Sequence, residues 1–533
     1  MKILRTALAG ALGMLLSLSS HALTAGQAYA MAASEDNDAR AAAINAAVLA
    51  PGEDGRLAVY LQALAEDAVR IAGGKAYVVS ADDAVNATDP TTGAAATLPA
   101  DAEEVVSNNY LRGVIESAQA ALALSSGDVQ ARRAAARKLA DEPDAARLPL
   151  IGKVLAGEQD AQVKSLLARA QAASLLGSDD ARQRLQAVEQ LAQQKTPETQ
   201  LLLNQRLPDE HDPAVRKALQ RALAEVADSL SWGERLGAVF SGLSLGSVLL
   251  LAALGLAITY GLMGVINMAH GELIMIGAYA TYLVQALFQR WLPEAWFGAY
   301  LVVAVPVAFV ASALVGAVLE RCVIRFLYGR PLETLLATFG ISLVLQQAVR
   351  SLFGAQNVGV ENPAWMSGGV ALLPNLTLPY NRIAIIVFAL AVLGAVAFLI
   401  ARTRLGLFVR GVTQNRAMAS CVGVNTARTD TYAFALGSGI AGLAGCALSQ
   451  IGNVGPDLGQ NYIVDSFLVV VLGGVGQLAG TVYAALGLGV LSKLLEGWTG
   501  AVLAKIAVLL FIVVFIQKRP QGIFALKGRS AEA

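Results

Sequence analysis

Asn267, His270 and Glu272 lie close together in the run Val265-Ile-Asn-Met-Ala-His-Gly-Glu, between two long apolar stretches. Polar and ionisable groups at membrane depth are costly, so they mark a pathway, a contact between helices or a membrane boundary. Two readings of the run stay open. The side chains hydrogen-bond to one another or to freed backbone and shape a break that lines a pathway. Alternatively they form a polar turn at the membrane surface, where Gly271 allows the bend. Three amides, Gln346, Gln347 and Gln450, also sit inside apolar stretches. They are pathway candidates, or hydrogen-bonded contacts between helices.

Catalysis has little support. The histidines are His21, His211 and His270, too few and too scattered for a metal cluster or a Ser-His-Asp set. No Gly-x-x-x-x-Gly-Lys-Ser/Thr phosphate loop occurs, so the chain is not itself a P-loop ATPase. Cys322, Cys421 and Cys446 have no metal-ligand spacing and read as small apolar residues. The sequence predicts no bound cofactor and no metal.

The elements that must position these residues belong to a membrane protein. The chain has 533 residues, 55% of them hydrophobic and 15% charged, too apolar for an ordinary soluble protein. Its 40 basic and 40 acidic residues divide unevenly. Residues 31–235 hold 30 acids and 21 bases, whereas 236–533 hold 10 and 17. The first part reads as water-soluble and acidic, the second as membrane-spanning with basic loops. No basic patch interleaved with aromatics marks a nucleic-acid partner.

Residues 1–30 read as a secretory signal. Lys2 and Arg5 precede the apolar stretch Leu8–Leu18, and Ala28-Tyr29-Ala30 offers a small-x-small cleavage site. Residues 31–230 are then exported, and without cysteines they hold together by packing alone. Residues 31–72 read as helix and 73–100 as loop, with a short strand at Ala76–Ser80. Asp128, Asp160 and Asp212 each open a helix, followed by Val and a basic residue on successive turns. That pattern resembles HEAT-type helical repeats at irregular spacing, or a helical bundle with Asp caps.

From Leu236 apolar spans are expected at 236–263, 268–288, 298–319, 334–352, 382–401, 429–451, 463–492 and 500–517. The fold class is all-α: a polytopic transmembrane helical bundle after an exported helical-repeat-like region. With that region outside, the clusters Arg321–Arg330 and Arg402–Arg428 fall in the cytoplasm, as the positive-inside rule asks. Eight crossings would leave Lys518 and Arg519 outside. A break of 463–492 at Gly473-Gly474-Val-Gly476 makes nine and returns them. On this topology the Asn267–Glu272 run lies near the cytoplasmic face.

Val265-Ile-Asn-Met-Ala-His-Gly-Glu resembles the signature of ABC permeases of the branched-chain amino acid type. Arg402-Thr-Arg-Leu-Gly406, Val412-Thr-Gln-Asn-Arg-Ala-Met-Ala-Ser420 and Gly423-Val-Asn425 resemble the cytoplasmic coupling loop of that family. Arg402, Arg404, Gly406, Gln414, Asn415, Arg416 and Gly423 are its candidates here. Asp465-Ser-Phe-Leu-Val-Val-Val-Leu-Gly-Gly-Val-Gly476 and Arg519-Pro-Gln-Gly-Ile-Phe524 resemble further family segments. The resemblance covers roughly residues 236–528. The wording of the first run, and the long exported region before the spans, resemble the urea-transport branch.

The resemblance implies a pathway formed with a second permease subunit. Cytoplasmic ATP-binding subunits would bind the ATP, and a periplasmic binding protein would deliver the solute. A neutral amide needs Asn, Gln, Ser, Thr or backbone groups rather than a charge, which makes Asn267, Gln346, Gln347 and Gln450 candidates. The stretch Gln414–Val422 is expected to form one short helix, docked on the ATPase or held as a basic loop by anionic lipid. Branched-chain amino acids are the alternative solute, and a membrane-anchored repeat scaffold is the alternative of another class.

Overall fold

The computed structural model describes residues 23–524, apart from 35, 50–54, 81–82, 100 and 265. The expected leader therefore lies largely outside the described residues. The chain divides into two compact units, Met1–Leu230 and Ser231–Ala533.

The first unit begins with helices α1 (Ala25–Ala33), α2 (Asn37–Leu49) and α3 (Arg56–Ala65). Strands β1 (Val69–Ala72), β2 (Lys75–Ser80), β3 (Asp83–Thr88), β4 (Ala95–Thr97) and β5 (Glu103–Val105) follow. They form an antiparallel sheet of order β4-β3-β2-β1-β5. The loop expected over 73–100 is thus mostly sheet. Glycines at positive φ, Gly73 and Gly74, make the β1–β2 turn rather than a long connection. The largest core of this unit packs Met31, Ile44, Tyr60, Leu61, Leu64 and Ile115 at 1% exposure or less, from these three helices and the helix that follows the sheet.

Helix α4 (Asn109–Ala123) leads into α5 (Val129–Asp141), α6 (Leu148–Gly157), α7 (Ala161–Leu175), α8 (Ala181–Gln194) and α9 (Pro197–Arg206). Asp128, Asp160 and Asp180 cap α5, α7 and α8 by accepting from backbone N–H groups of the first turn. The spacing that looks irregular in sequence resolves into a duplicated unit. Arg132 donates through Nη1 to the Ser126 and Gly127 carbonyls and through Nε and Nη2 to Glu158. Glu158 in turn accepts from Gln159 N and Asp160 N. Arg184 repeats every bond, to Ser178, Asp179 and Glu210, and Glu210 accepts from His211 N and Asp212 N. Asp128 and Asp180, Arg132 and Arg184, and Glu158 and Glu210 each stand 52 residues apart. Bidentate Arg–carboxylate pairs combine charge with fixed geometry, so each clip locks the start of one helix to the turn two helices on. Glu210 is 1% exposed at its side chain. Burial pushes its carboxyl up, but the Arg184 hydrogen bonds and backbone N–H groups outweigh this and hold it at about 2.

Helix α10 (Pro213–Met263) enters the second unit, which continues through α11 (His270–Trp291), α12 (Tyr300–Cys322) and α13 (Pro331–Phe353). A hairpin of β6 (Gly369–Leu373) and β7 (Leu376–Pro379) leads to α14 (Tyr380–Arg402), α15 (Arg404–Gln414) and α16 (Arg416–Cys421). Helices α17 (Thr426–Ser449), α18 (Leu458–Gly473), α19 (Leu478–Thr499) and α20 (Ala501–Lys518) complete it. Among the described residues eight helices are long and apolar enough to cross a membrane, and α18 is a shorter apolar helix. The expected break in 463–492 is present: Gly474, at φ 99°, separates α18 from α19.

The second unit is assembled by close backbone approach. A Cβ at Gly271 of α11 would sit 2.6 Å from the Gly459 carbonyl oxygen of α18. One at Gly277 would strike Gly442 of α17, and one at Gly445 the Ile274 carbonyl. Small residues let helices meet at this distance, where dispersion and packing hold them. In α17, 83% of the apolar window is buried; in α20 the share is 17%. The core therefore gathers around α10, α11 and α17, while α12, α13, α14 and α20 expose apolar faces.

A candidate functional site at a buried polar seam

Thr334, Thr338, Ser342 and Gln346 recur every four residues along α13 and so share one face. Their exposures are 0, 0, 3 and 5%, whereas Leu332, Leu336, Phe339, Leu343 and Val344 of the same helix are exposed. The polar face meets the opening run of α11. Met268 N donates to Thr338 Oγ1 at 3.2 Å. Ser342 Oγ and Gln346 Nε2 both donate to Glu272 Oε1, at 2.8 and 2.9 Å. One turn beyond Gln346, Arg350 pairs with Asp457 at 2.5 Å.

Each side chain of the opening run has its own partner, and the three side chains do not bond to one another; Asn267 and His270 meet only through the backbone, where His270 N donates to the Asn267 carbonyl at 3.3 Å. Asn267 Oδ1 accepts from Ala269 N at 3.0 Å, closing the turn before α11. His270 Nε2 lies 3.0 Å from the Ala252 carbonyl of α10. All three are buried, with exposures of 2% for Asn267, 0% for His270 and 1% for Glu272. The turn before α11 is present, and it is buried within the protein. Gly271 serves the α11–α18 crossing instead of a bend.

Among the described residues the seam carries open hydrogen-bonding capacity. Glu272 Oε2, Asn267 Nδ2, His270 Nδ1 and the Tyr279 hydroxyl are buried with no partner. Glu272 and Tyr279 stand seven residues apart on α11, on the same face. The Tyr279 ring packs 4.7 Å from Phe353 at the far end of α13. Buried polar groups are nearly always satisfied, so an open acceptor beside two satisfied donors marks a place where a further N–H or O–H fits.

The remaining amides separate. Gln347 points away from the seam and is exposed. Gln450 is buried elsewhere, where its Oε1 accepts from Tyr300 at 3.2 Å and its Nε2 donates to Ser449 Oγ. It borders an apolar cavity of about 130 Å³ with Leu301, Trp365, Ile385, Phe388 and Cys446.

The coupling candidates gather on a second, basic surface. Gln414–Val422 is not one helix, because Asn415 ends α15 and caps α16 by accepting from Met418 N at 2.9 Å. Arg402, Arg404, Gln414, Asn415, Arg416 and Gly423 are exposed. Gly406 packs against the Ile400 carbonyl, and Gly423 turns the chain at φ 90°. Arg416 pairs with Asp430 at the start of α17, and its guanidinium lies 5.2 Å from the Tyr328 ring. Tyr328 donates to Glu320 Oε1 at 3.1 Å, and Thr431 donates to Glu320 Oε2 at 2.7 Å. Burial, together with the nearby carboxylates of Asp430 and Glu320, pushes the Tyr328 hydroxyl up. The exposed segment is thereby tied to the ends of both α12 and α17.

Thr334, Thr338, Ser342, Glu320, Tyr328 and Asp430 were not singled out in the sequence. The four-residue polar period on α13 was available as a signal; the Glu320 cluster gave none, since its partners meet only in three dimensions.

Residues 238–517 match the family described as branched-chain amino acid transport system / permease component. The high-affinity branched-chain amino acid transport system permease protein LivH of Escherichia coli (strain K12) is 30% identical over 295 residues, 54% of this chain and 94% of the relative. LivH of Salmonella typhimurium is 28% identical over the same shares. BraD of Pseudomonas aeruginosa is 27% identical over 287 residues, 53% of this chain and 93% of the relative. No solved structure matches. With the match covering more than half of the chain and including the polar seam and the coupling segment, the chain belongs to the branched-chain amino acid transport system permease family.

Proposed function

We propose that the chain is the permease subunit of an ATP-driven importer that carries urea or a short amide across the inner membrane. The observation that carries the solute class is Glu272, whose Oε1 is held by Ser342 and Gln346 while Oε2 stays open. Such an acceptor suits a solute rich in N–H donors. The Tyr279 hydroxyl and Asn267 Nδ2, open groups to either side of Glu272 along the seam, can each donate to a solute carbonyl in turn as it passes. Among the described residues the cation beside the seam, Arg350, is paired with Asp457 rather than left open for a solute carboxylate.

Transport follows by alternating access. Family membership supports a pathway shared with a second permease subunit, ATP bound by cytoplasmic subunits and solute delivered by a periplasmic binding protein. On this reading α15 and α16 receive the ATPase, Arg416 and Asp430 carry the displacement to α12 and α17, and the α11–α13 seam opens. Residues 31–230 lie outside the membrane, and the basic ends of α12 and α14 lie inside.

Branched-chain amino acids are the second reading, favoured by the names of the relatives. Uptake of labelled urea and labelled leucine by the complete importer in a deletion strain separates the two. Urea uptake that requires ATP and is not displaced by leucine supports the first reading; the opposite pattern replaces it with the second.

A further inference from the structure

We infer that a leader peptidase cuts this chain between Ala22 and Leu23, not after the small-x-small triplet at Ala28–Ala30. The inference rests on the export reading above, and its ground is what the first residues of α1 do. Leu23 is 5% exposed, Ala28 1% and Met31 0%, all within the core of the first unit. Thr24 and Gln27 form a complete capping box, with Thr24 Oγ1 accepting from Gln27 N at 3.3 Å and Gln27 Oε1 accepting from Thr24 N at 3.0 Å. The Tyr60 hydroxyl, itself buried, donates to the Ala28 carbonyl at 2.7 Å. Arg40 Nε donates to the Met31 carbonyl at 3.1 Å.

A cut after Ala30 would remove the cap, two core side chains and the acceptor of a buried tyrosine. It would also leave the rest of α1 without its first turns. Leu23 already belongs to the core of the unit, and the sequence just before it meets the requirement of the peptidase. Ser20 and Ala22 are small residues spaced one apart, directly after the apolar stretch Leu8–Leu18. Ala28 and Ala30 share that spacing but stand much farther from the stretch. The step is a hydrolysis: water adds its hydroxyl to the Ala22 carbonyl carbon and a proton to the departing Leu23 nitrogen.

The test is N-terminal sequencing and intact mass of the full chain purified from membranes, with protease added to intact spheroplasts in parallel. Leu23 as the first residue is expected. Met31 as the first residue overturns the site and leaves export standing. Retained Met1 with residues 31–230 open to external protease overturns the cleavage alone. Retained Met1 with that region protected overturns the export reading as well. Two variants sharpen the result. Ala22→Gln should retain the leader, whereas Ala30→Gln, at an exposed position of α1, should be processed as the wild type. The reverse pattern sinks the assignment.

Discussion

Glu272→Gln separates a structural carboxylate from one that meets the solute. Ser342 Oγ and Gln346 Nε2 both donate to Oε1, and a glutamine amide oxygen in that place accepts from both. The seam therefore closes as before. The change falls on Oε2, where an acceptor with no partner becomes an NH2 donor. A solute N–H arriving there meets a donor instead of an acceptor. Hydrogen bonds to charged groups contribute roughly 1.5–3 kcal/mol, and about 1.4 kcal/mol is a factor of ten. Uptake should fall by about 10- to 150-fold while thermal stability in detergent holds. Glu272→Ala behaves differently. It strands Ser342 and Gln346, 3 and 5% exposed, at roughly 1–3 kcal/mol each, so both stability and uptake fall. The assay is initial-rate uptake of labelled urea by the complete importer, normalised to permease in the membrane. Wild-type uptake by Glu272→Gln would refute the reasoning, because it would leave Oε2 with no part in transport.

Three further outcomes are expected. Gly445→Ala drives a methyl into the Ile274 carbonyl of α11, an overpacking worth roughly 1–3 kcal/mol; folded yield should drop, measured by size-exclusion profile after extraction. Arg416→Gln leaves Asp430, 2% exposed at its side chain, without its cation, so ATP hydrolysis by the partner subunits should persist while uptake per ATP falls several-fold. The first unit should loosen in acid. Glu210 is held at about 2 in the folded chain against 4.5, so the unfolded state binds the extra proton first. The stability it lends is whole above 4.5 and is lost as pH falls towards 2, roughly 3 kcal/mol at most. Hydrogen exchange of α8 in the full chain across that range checks it, and Glu210→Gln should flatten the response.

How much could be read beforehand depended on the range of the contacts. The spans were legible because an apolar run of twenty residues has few other fates, and the break before Gly476 because glycines interrupt it. Of the sheet only β2 is legible, as the strand expected at Ala76–Ser80; the others are strands of three to six residues between Gly and Pro turns and show no clear alternation. The 52-residue duplication was missed for another reason. Asp160 and Asp212 are themselves 52 residues apart, but without Asp180 to partner Asp128 the successive capping acids stand 32 and 52 apart and the period looks irregular. In the site, Glu272 and Gln346 were both named, yet nothing local joins residues 74 apart. Asn415 was named as a coupling residue, while its second role, ending one helix and capping the next, split a segment expected to be continuous.

Two kinds of joint hold the second unit, and they differ in how they can move. At the crossings of α11 with α17 and α18, backbone meets backbone across glycines. A shift there breaks many close contacts at once, and no alternative partner waits. At the α11–α13 seam the join is three hydrogen bonds, from Met268, Ser342 and Gln346. Between membrane helices such bonds average about 0.6 kcal/mol each, so opening the seam costs about 2 kcal/mol before packing is counted. A ligand that favours one of two states by a few kcal/mol shifts their populations substantially. The seam lies within that range and the glycine crossings do not. A solute that supplies its own N–H to Glu272 replaces part of what opening removes. On the proposed reading Glu272, one of the polar residues that carry the family resemblance in sequence, therefore stands at the joint where solute and subunit motion can act on the same bonds.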